Sequence, residues 1–302
     1  MICYYIDHET YDGDAKTLAR LSVEYKRANF IHHQKGISLL TCHRAEFYLP
    51  KESEVFTKDV PHKFCAIRDT GKAYTRLFEI ALGLHSQIIG ESSIFQQVSQ
   101  SVNAYLYHSP DPILLEILRK AREIRETFDF YAPNHGQLIY DVFNKSGNSQ
   151  TLFLVGAGML NYKILSSLKS VTTYSSVILI TRDIKRAKEK YAHFDGIKLK
   201  SMSDIDTEKI NGKFDVILAT NEINEEYAKN IVQLCRIKQC TNIADLSSIP
   251  IEGLSDFEID KNYYSLFTEN TKNLIETNNR VMIRKKNLVL DYLAQNISNL
   301  YE

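Results

Sequence analysis

"TLFLVGAGMLN", residues 151–161, is the stretch on which the reading of the fold turns. Thr151 to Val155 are apolar or β-branched, which suits a strand buried on both faces. Gly156 and Gly158 follow at once, and LNYKILSSLK then reads as a helix. A glycine turn between a buried strand and a helix is the setting in which a dinucleotide-binding motif has physical meaning. The first glycine makes the turn. The second admits a diphosphate to the backbone, where helix amides face it. The third glycine position holds Asn161, which concerns helix–strand packing more than phosphate contact, so the match is weakened but not removed.

The pattern downstream agrees. SSVILIT is a strand, DIKRAKEKYAHF a helix, and FDVILAT and TNIADL two further buried strands, which makes parallel βαβ units. The second strand ends in Thr181, Arg182 and Asp183. An arginine at this place suits a 2′-phosphate and so points to NADPH rather than NADH. The cofactor-binding candidates are Gly156, Ala157, Gly158, Met159, Thr181 and Arg182, with Ala219 and Thr220 at the end of FDVILAT. The alternative is a domain of the same type without nucleotide, with Arg182 solvated.

Upstream, MICYYI reads as a strand, residues 14–27 as an amphipathic helix, and GISLLT and AEFYL as strands. Helices are expected at 72–82, 92–107, 112–127 and around 136–146. KSGNSQ, residues 145–150, is the best linker candidate, and from about 268 onward the chain reads as one long helix. The expected class is α/β. An N-terminal α+β catalytic domain (1–147) precedes a Rossmann-type NADP-binding domain (148–266) and a long C-terminal helix (267–302).

The 302 residues carry 37 Lys plus Arg against 37 Asp plus Glu, a balance that argues against a polyanion-coating protein. Cys3, Cys42, Cys65, Cys235 and Cys240 are odd in number and irregularly spaced, so neither a disulfide framework nor a metal site is expected. MICYYIDHET has no leader character, and no segment is long enough to span a bilayer, so the expected location is cytoplasmic.

The second decisive stretch is LLTCHRAEFYLP, residues 39–50, where Thr41, Cys42, His43 and Arg44 sit at a strand break. Cys42 is either a small buried hydrophobe or a thiol kept ionised by nearby cations. The order of parts is Thr-Cys-His-Arg, then RLFEIALGLHSQIIGESSIFQQV, then the glycine turn, then a long helix. In that order the chain resembles glutamyl-tRNA reductase, over about residues 1–290.

The resemblance implies NADPH-dependent reduction of glutamyl-tRNA to glutamate-1-semialdehyde through a cysteinyl thioester, the first step of five-carbon tetrapyrrole synthesis. Cys42 matches the nucleophile, Arg44 the arginine that grips the substrate carboxylate, and Thr41, Ser86, Glu91 and Gln97 substrate-binding positions. Downstream glutamate-1-semialdehyde aminomutase is the protein partner it implies. Three departures stand out. Arg76 occupies the position of the family's assisting histidine and would have to stabilise a thiolate or oxyanion, with His43 or His85 taking over proton transfer. GESSIF replaces GEPQIL. The helical dimerisation domain is missing, which puts the usual dimer in doubt and leaves Val281, Ile283, Leu288, Leu290 and Leu293 to pair or fold back. The rival readings are a binding or regulatory relative that has lost activity, and a reductase of another aminoacyl-tRNA or thioester.

Overall fold

The computed structural model describes residues 1–28, 35–51, 64–168, 174–205, 210–220, 225–247, 249–258 and 262–296. The chain forms two compact units, Met1–Pro133 with Glu276–Glu302, and Asn134–Ile275.

The first unit runs β1 (Ile2–Asp7), α1 (Ala15–Arg27), β2 (Ile37–Thr41), β3 (Arg44–Leu49), β4 (Cys65–Ile67), α2 (Thr70–Leu82), α3 (Ser92–Leu106) and α4 (Pro112–Thr127). The strands pair antiparallel in the order β2-β3-β1-β4. Every residue of β3 is buried. On one face Ala45, Phe47 and Leu49 pack with Ile6 and Leu18 of α1, each large apolar side chain contributing about 1.5–3 kcal/mol. On the other face Arg44, Glu46 and Tyr48 lie on the α2 side, where Arg76 meets Glu46. β3 thus alternates between an apolar and a polar face, and the polar face is covered by a helix rather than by water. Helices start on side-chain caps from Asp14, Asp69 and Asp111, and α2 stops at Gly83, whose φ of 84° lies in the left-handed region.

The second unit runs α5 (His135–Ser146), β5 (Thr151–Val155), α6 (Met159–Leu168), β6 (Ser176–Ile180), α7 (Ile184–Tyr191), β7 (Ile197–Lys200), β8 (Phe214–Leu218), α8 (Glu225–Arg236), β9 (Cys240–Asp245) and β10 (Asn262–Ser265), and leads into α9 (Glu269–Asn296). All six strands are parallel, in the order β10-β9-β8-β5-β6-β7. The order reverses between β5 and β8, the switch point at which such sheets take ligands. Strands β4, β7 and β10 and helix α8 escape the sequence reading; CAI, IKLK and NYYS are too short and too mixed to show a period.

Helix α5 groups with the second unit, although the sequence places the boundary after it. A Cβ on Gly136 would lie 3.1 Å from Ile164 of α6, and Phe143 meets Tyr264 edge to face at 5.5 Å. KSGNSQ ends α5 and turns from Gly147 into β5, its Ser149 hydroxyl donating to the buried Asp215 carboxylate.

The second half of α9 folds back on the first unit. Asn279 accepts from the amide of Ile89 and donates to the carbonyl of Gln87, and Lys285 pairs with Asp129. Met282 and Val289 are buried along that face. At 100° per residue, Val281 and Leu288 lie on one flank of it and Ile283 and Leu290 on the other, so the exposed apolar residues do not form a single stripe. Residues 297–302, the end of the expected helix, lie outside the described residues. Among the described residues no helix is long and apolar enough to cross a membrane, and no cluster of His, Cys, Asp and Glu is arranged to hold a metal.

Candidate active site

The strand break at Thr41–Arg44 is a two-residue hairpin. Thr41 pairs with Arg44, and Cys42 and His43 form the tip. Both tip residues keep negative φ, unlike the usual two-residue turns. The turn is held from outside: the Thr41 hydroxyl accepts from the His43 amide at 3.2 Å, and the His43 carbonyl accepts from the His8 amide at 3.0 Å. The His8 and His43 rings stand edge to face at 6.4 Å. Burial holds His8 below its ordinary pKa, with Arg44 adding to the effect.

Cys42 is half-buried, and its thiol is pushed up to about 12, first by burial and then by the Glu91 carboxylate; Arg44 opposes this only weakly. This corrects the expectation of an ionised sulfur in a cationic pocket. The cations are present but already neutralised. Arg76 donates to Asp7 at 2.7 Å and to both oxygens of Glu46 at 2.9 and 3.3 Å. Its guanidinium also lies 3.6 Å from the centre of the Tyr5 ring. Arg44 donates to Glu46 and to the His85 carbonyl. Two guanidiniums and two carboxylates thus form a closed, buried set, with Tyr48 donating to Glu46 as well. Arg76 is spent on these acids and does not stabilise a thiolate, and Arg44 is buried rather than aimed into open space. His85 bonds to Glu79 at 2.8 Å and has Glu9 at 3.8 Å.

The other substrate candidates divide between two places. Thr41 and Gln97 line a cleft of about 280 Å³ between β2 and α3, with Lys26, Gln100 and Ser101 also on its walls. Ser86 and Glu91 belong to the loop between α2 and α3. The Ser86 hydroxyl is buried and has no hydrogen-bond partner among the described residues, while Glu91 accepts from Ser93. That loop is clamped by an arginine of α4. Arg125 is fully buried and donates to the carbonyls of Ala81, Leu82, Gly90 and Glu91. Burial lowers its pKa to about 10, although Tyr131 and Glu91 partly compensate. Its place was legible: Leu118 and Arg125 are seven residues apart on the buried stripe of α4. The acids Asp7 and Glu46 were also missed. A glutamate two residues after an arginine in a strand buried on both faces is the signal that reveals them.

In the second unit the glycine turn has the cradle a dinucleotide needs. Gly156 sits at φ 101°, and a Cβ there would come within 2.6 Å of the Ala219 carbonyl oxygen and 3.1 Å of Thr220. Gly156, Ala219 and Thr220 therefore converge at the carboxyl ends of β5 and β8. Asn161 replaces the third glycine by function: its buried side-chain amide donates to the carbonyls of Val155 and Gly156 and ties the turn to the strand. Thr181 is buried and bonds to the backbone of Asp183, Asp183 caps α7, and Arg182 between them is exposed. Ala157 and Gly158 turn their carbonyls toward Lys190 and Tyr191 of α7. Met159, at the start of α6, is exposed.

The first unit thus presents a cysteine at a hairpin tip, and the second carries a parallel sheet with a dinucleotide-type glycine turn. Comparison with known proteins narrows this. Residues 9–127 match the model of the glutamyl-tRNAGlu reductase N-terminal domain. The matched segment lies within the first unit. It is 25% identical to Protein nfe2 of Rhizobium meliloti, over 96% of both chains. It is 23% identical to the glutamyl-tRNA reductase of Methanosphaera stadtmanae, over 69% of this chain and 55% of that one. It is 26% identical to that of Thermosipho melanesiensis, over 61% and 50%. The chain thus spans about half the length of these curated reductases. Glutamyl-tRNA reductase from Methanopyrus kandleri superposes with a TM-score of 0.44 at 16% identity, covering 97% of this chain and 78% of that one.

Proposed function

We propose that this chain reduces glutamyl-tRNA to glutamate-1-semialdehyde with NADPH, through a thioester on Cys42. The observation that carries the reading is the hairpin that presents Cys42 at its tip, within the segment matching the reductase N-terminal domain. The Cys42 sulfur bonds to the glutamyl carbonyl carbon, the ester bond to the tRNA breaks, and the tRNA 3′-oxygen leaves with a proton. With the thiol pushed up to about 12, that proton departs as the bond forms rather than beforehand. We assign its relay to His43, the neighbour of Cys42 in the turn, and to His8, whose ring stands 6.4 Å from that of His43. Thr41 and Gln97 hold substrate along the cleft, and the unpartnered Ser86 hydroxyl supplies a further contact. Arg44 and Arg76 hold the hairpin in place through Glu46 and Asp7. For Arg44 to grip a carboxylate, it must exchange one of its present partners.

The residues of the second unit fit a nicotinamide dinucleotide. Only glycine fits at 156, and the exposed Arg182 at the end of β6 is of a type that suits a 2′-phosphate. When bound, NADPH supplies the hydride that releases the aldehyde.

One observation favours a second reading, a family member that binds glutamyl-tRNA without reducing it: the neutralised arginines leave the thiol unactivated. Mixing the protein with glutamyl-tRNA and NADPH separates the two. The first reading expects NADPH oxidation that depends on glutamyl-tRNA and vanishes in Cys42→Ser. Binding without oxidation in the wild type supports the second.

A further inference from the structure

We propose that the cleft between β2 and α3 takes the 3′-terminal nucleoside of the aminoacyl-tRNA, an adenosine in every tRNA. The inference deepens the reading of Cys42 as acceptor of the glutamyl group and rests on it.

The chemistry fixes how far that nucleoside can lie from the sulfur. The carbonyl carbon that Cys42 attacks carries the 3′-oxygen of the last ribose directly. The cleft adjoins this point through the chain itself: Thr41, which lines it, is bonded to Cys42, and the wall runs back along β2 from Thr41 to Ser38. Three residue steps of about 3.3 Å make a wall of about 10 Å, which suits one nucleoside rather than a paired stem. β2 is the edge strand of its sheet, so no further strand closes the cleft.

The walls carry the groups that read an unpaired base, which proteins stack on aromatic rings and hydrogen-bond along its edges. Tyr25 of α1 supplies the ring. It stands edge to face on Phe47 at 5.7 Å and on Phe64 at 5.9 Å, so it is held in place before a ligand arrives. Gln97 and Gln100 lie three residues apart on one face of α3, and neither side-chain amide makes a hydrogen bond among the described residues. An amide offers an acceptor beside a donor, the pattern that matches N6 and N7 of adenine. The Ser101 hydroxyl donates to the Ser38 carbonyl at 2.8 Å and fixes α3 against the wall. Lys26, beside Tyr25, makes no ion pair among the described residues and supplies charge for the phosphate 5′ of the nucleoside. No arginine stands among the described lining residues, so the cleft suits an uncharged base better than the glutamyl carboxylate.

Filter binding of tRNAGlu to the full chain at one salt concentration tests this, with the complete tRNA and with one lacking the terminal adenosine and its 5′-phosphate. The wild type is expected to bind the complete form about tenfold more tightly. Tyr25→Leu and Gln100→Leu are each expected to bring that ratio below about threefold by weakening the complete tRNA alone, and Lys26→Met to roughly halve it. Tyr25→Phe, which keeps the ring, is expected to keep the ratio. A tenfold ratio that survives in both Tyr25→Leu and Gln100→Leu overturns the proposal, even where both tRNAs weaken together, because the effect is then on the fold. A wild type that binds both forms equally also overturns it. In either case the thioester reading stands, since that reading is tested by the adduct on Cys42. A wild type that binds neither form overturns both.

Discussion

Arg76 donates to the buried carboxylate of Asp7 at 2.7 Å, and this pair is the keystone of the charged layer under the Cys42 hairpin. Removing the guanidinium leaves Asp7 and Glu46 in the interior with too few donors. Arg76→Met is expected to lower unfolding free energy by about 3–5 kcal/mol, the usual penalty for breaking a buried ion pair on one side. Urea denaturation of the two proteins measures it. A loss below about 1 kcal/mol would mean that water or a rearranged Arg44 takes over.

The same pair sets an acid limit. Burial pushes the Asp7 carboxyl up, but Thr10 and Arg76 outweigh it and hold the pKa below its ordinary 3.8. A depressed folded-state value means that the stabilisation is complete above about pH 5 and is lost as the pH falls through that value. Asp7→Asn is expected to be less stable at neutral pH and to lose less on acidification. Parallel curves for variant and wild type from pH 6 to pH 3 would contradict the assignment.

Cys42 is expected to react slowly with iodoacetamide near neutrality. In a Cys65→Ser background the other cysteines, Cys3, Cys235 and Cys240, are buried, so alkylation reports on Cys42. The rate is expected to rise about tenfold per pH unit from roughly pH 7 to 10, as for a thiol with its pKa above that range. A plateau by pH 7 would show an activated thiolate.

Arg125 is expected to matter more than any other basic residue of α4. Arg125→Met uncovers two carbonyls at the end of α2 and two in the loop that carries Ser86, at a cost of roughly 3 kcal/mol or more. Arg119→Met, which breaks only exposed pairs with Glu116 and Glu123, should change stability by less than about 1 kcal/mol. Thermal unfolding of both variants decides this.

Much of this was readable from residues 1 to 302, for identifiable reasons. Long periodic segments such as 112–127 and the buried strands around Gly156 announce themselves, because one period dominates each. The glycine turn was legible because only glycine fits beside the Ala219 carbonyl. The state of the Cys42 thiol was not. Arg44 and Arg76 looked like activating cations, since a sequence shows charges but not which acid lies opposite. Asp7 is 69 residues from Arg76, and only the register of β1 against β3 brings Asp7 and Glu46 together beneath it. Asn161 looked like a defect for the same reason: its hydrogen bonds to Val155 and Gly156 compensate for the missing glycine.

The central claim is that the Cys42 sulfur takes the acyl group. Intact-protein mass spectrometry after mixing the chain with glutamyl-tRNA, without NADPH, tests it most directly. The account predicts a single glutamyl adduct that maps to Cys42, is released by hydroxylamine and is absent in Cys42→Ser. No adduct under conditions where the tRNA binds, or an adduct that persists in Cys42→Ser, would contradict it.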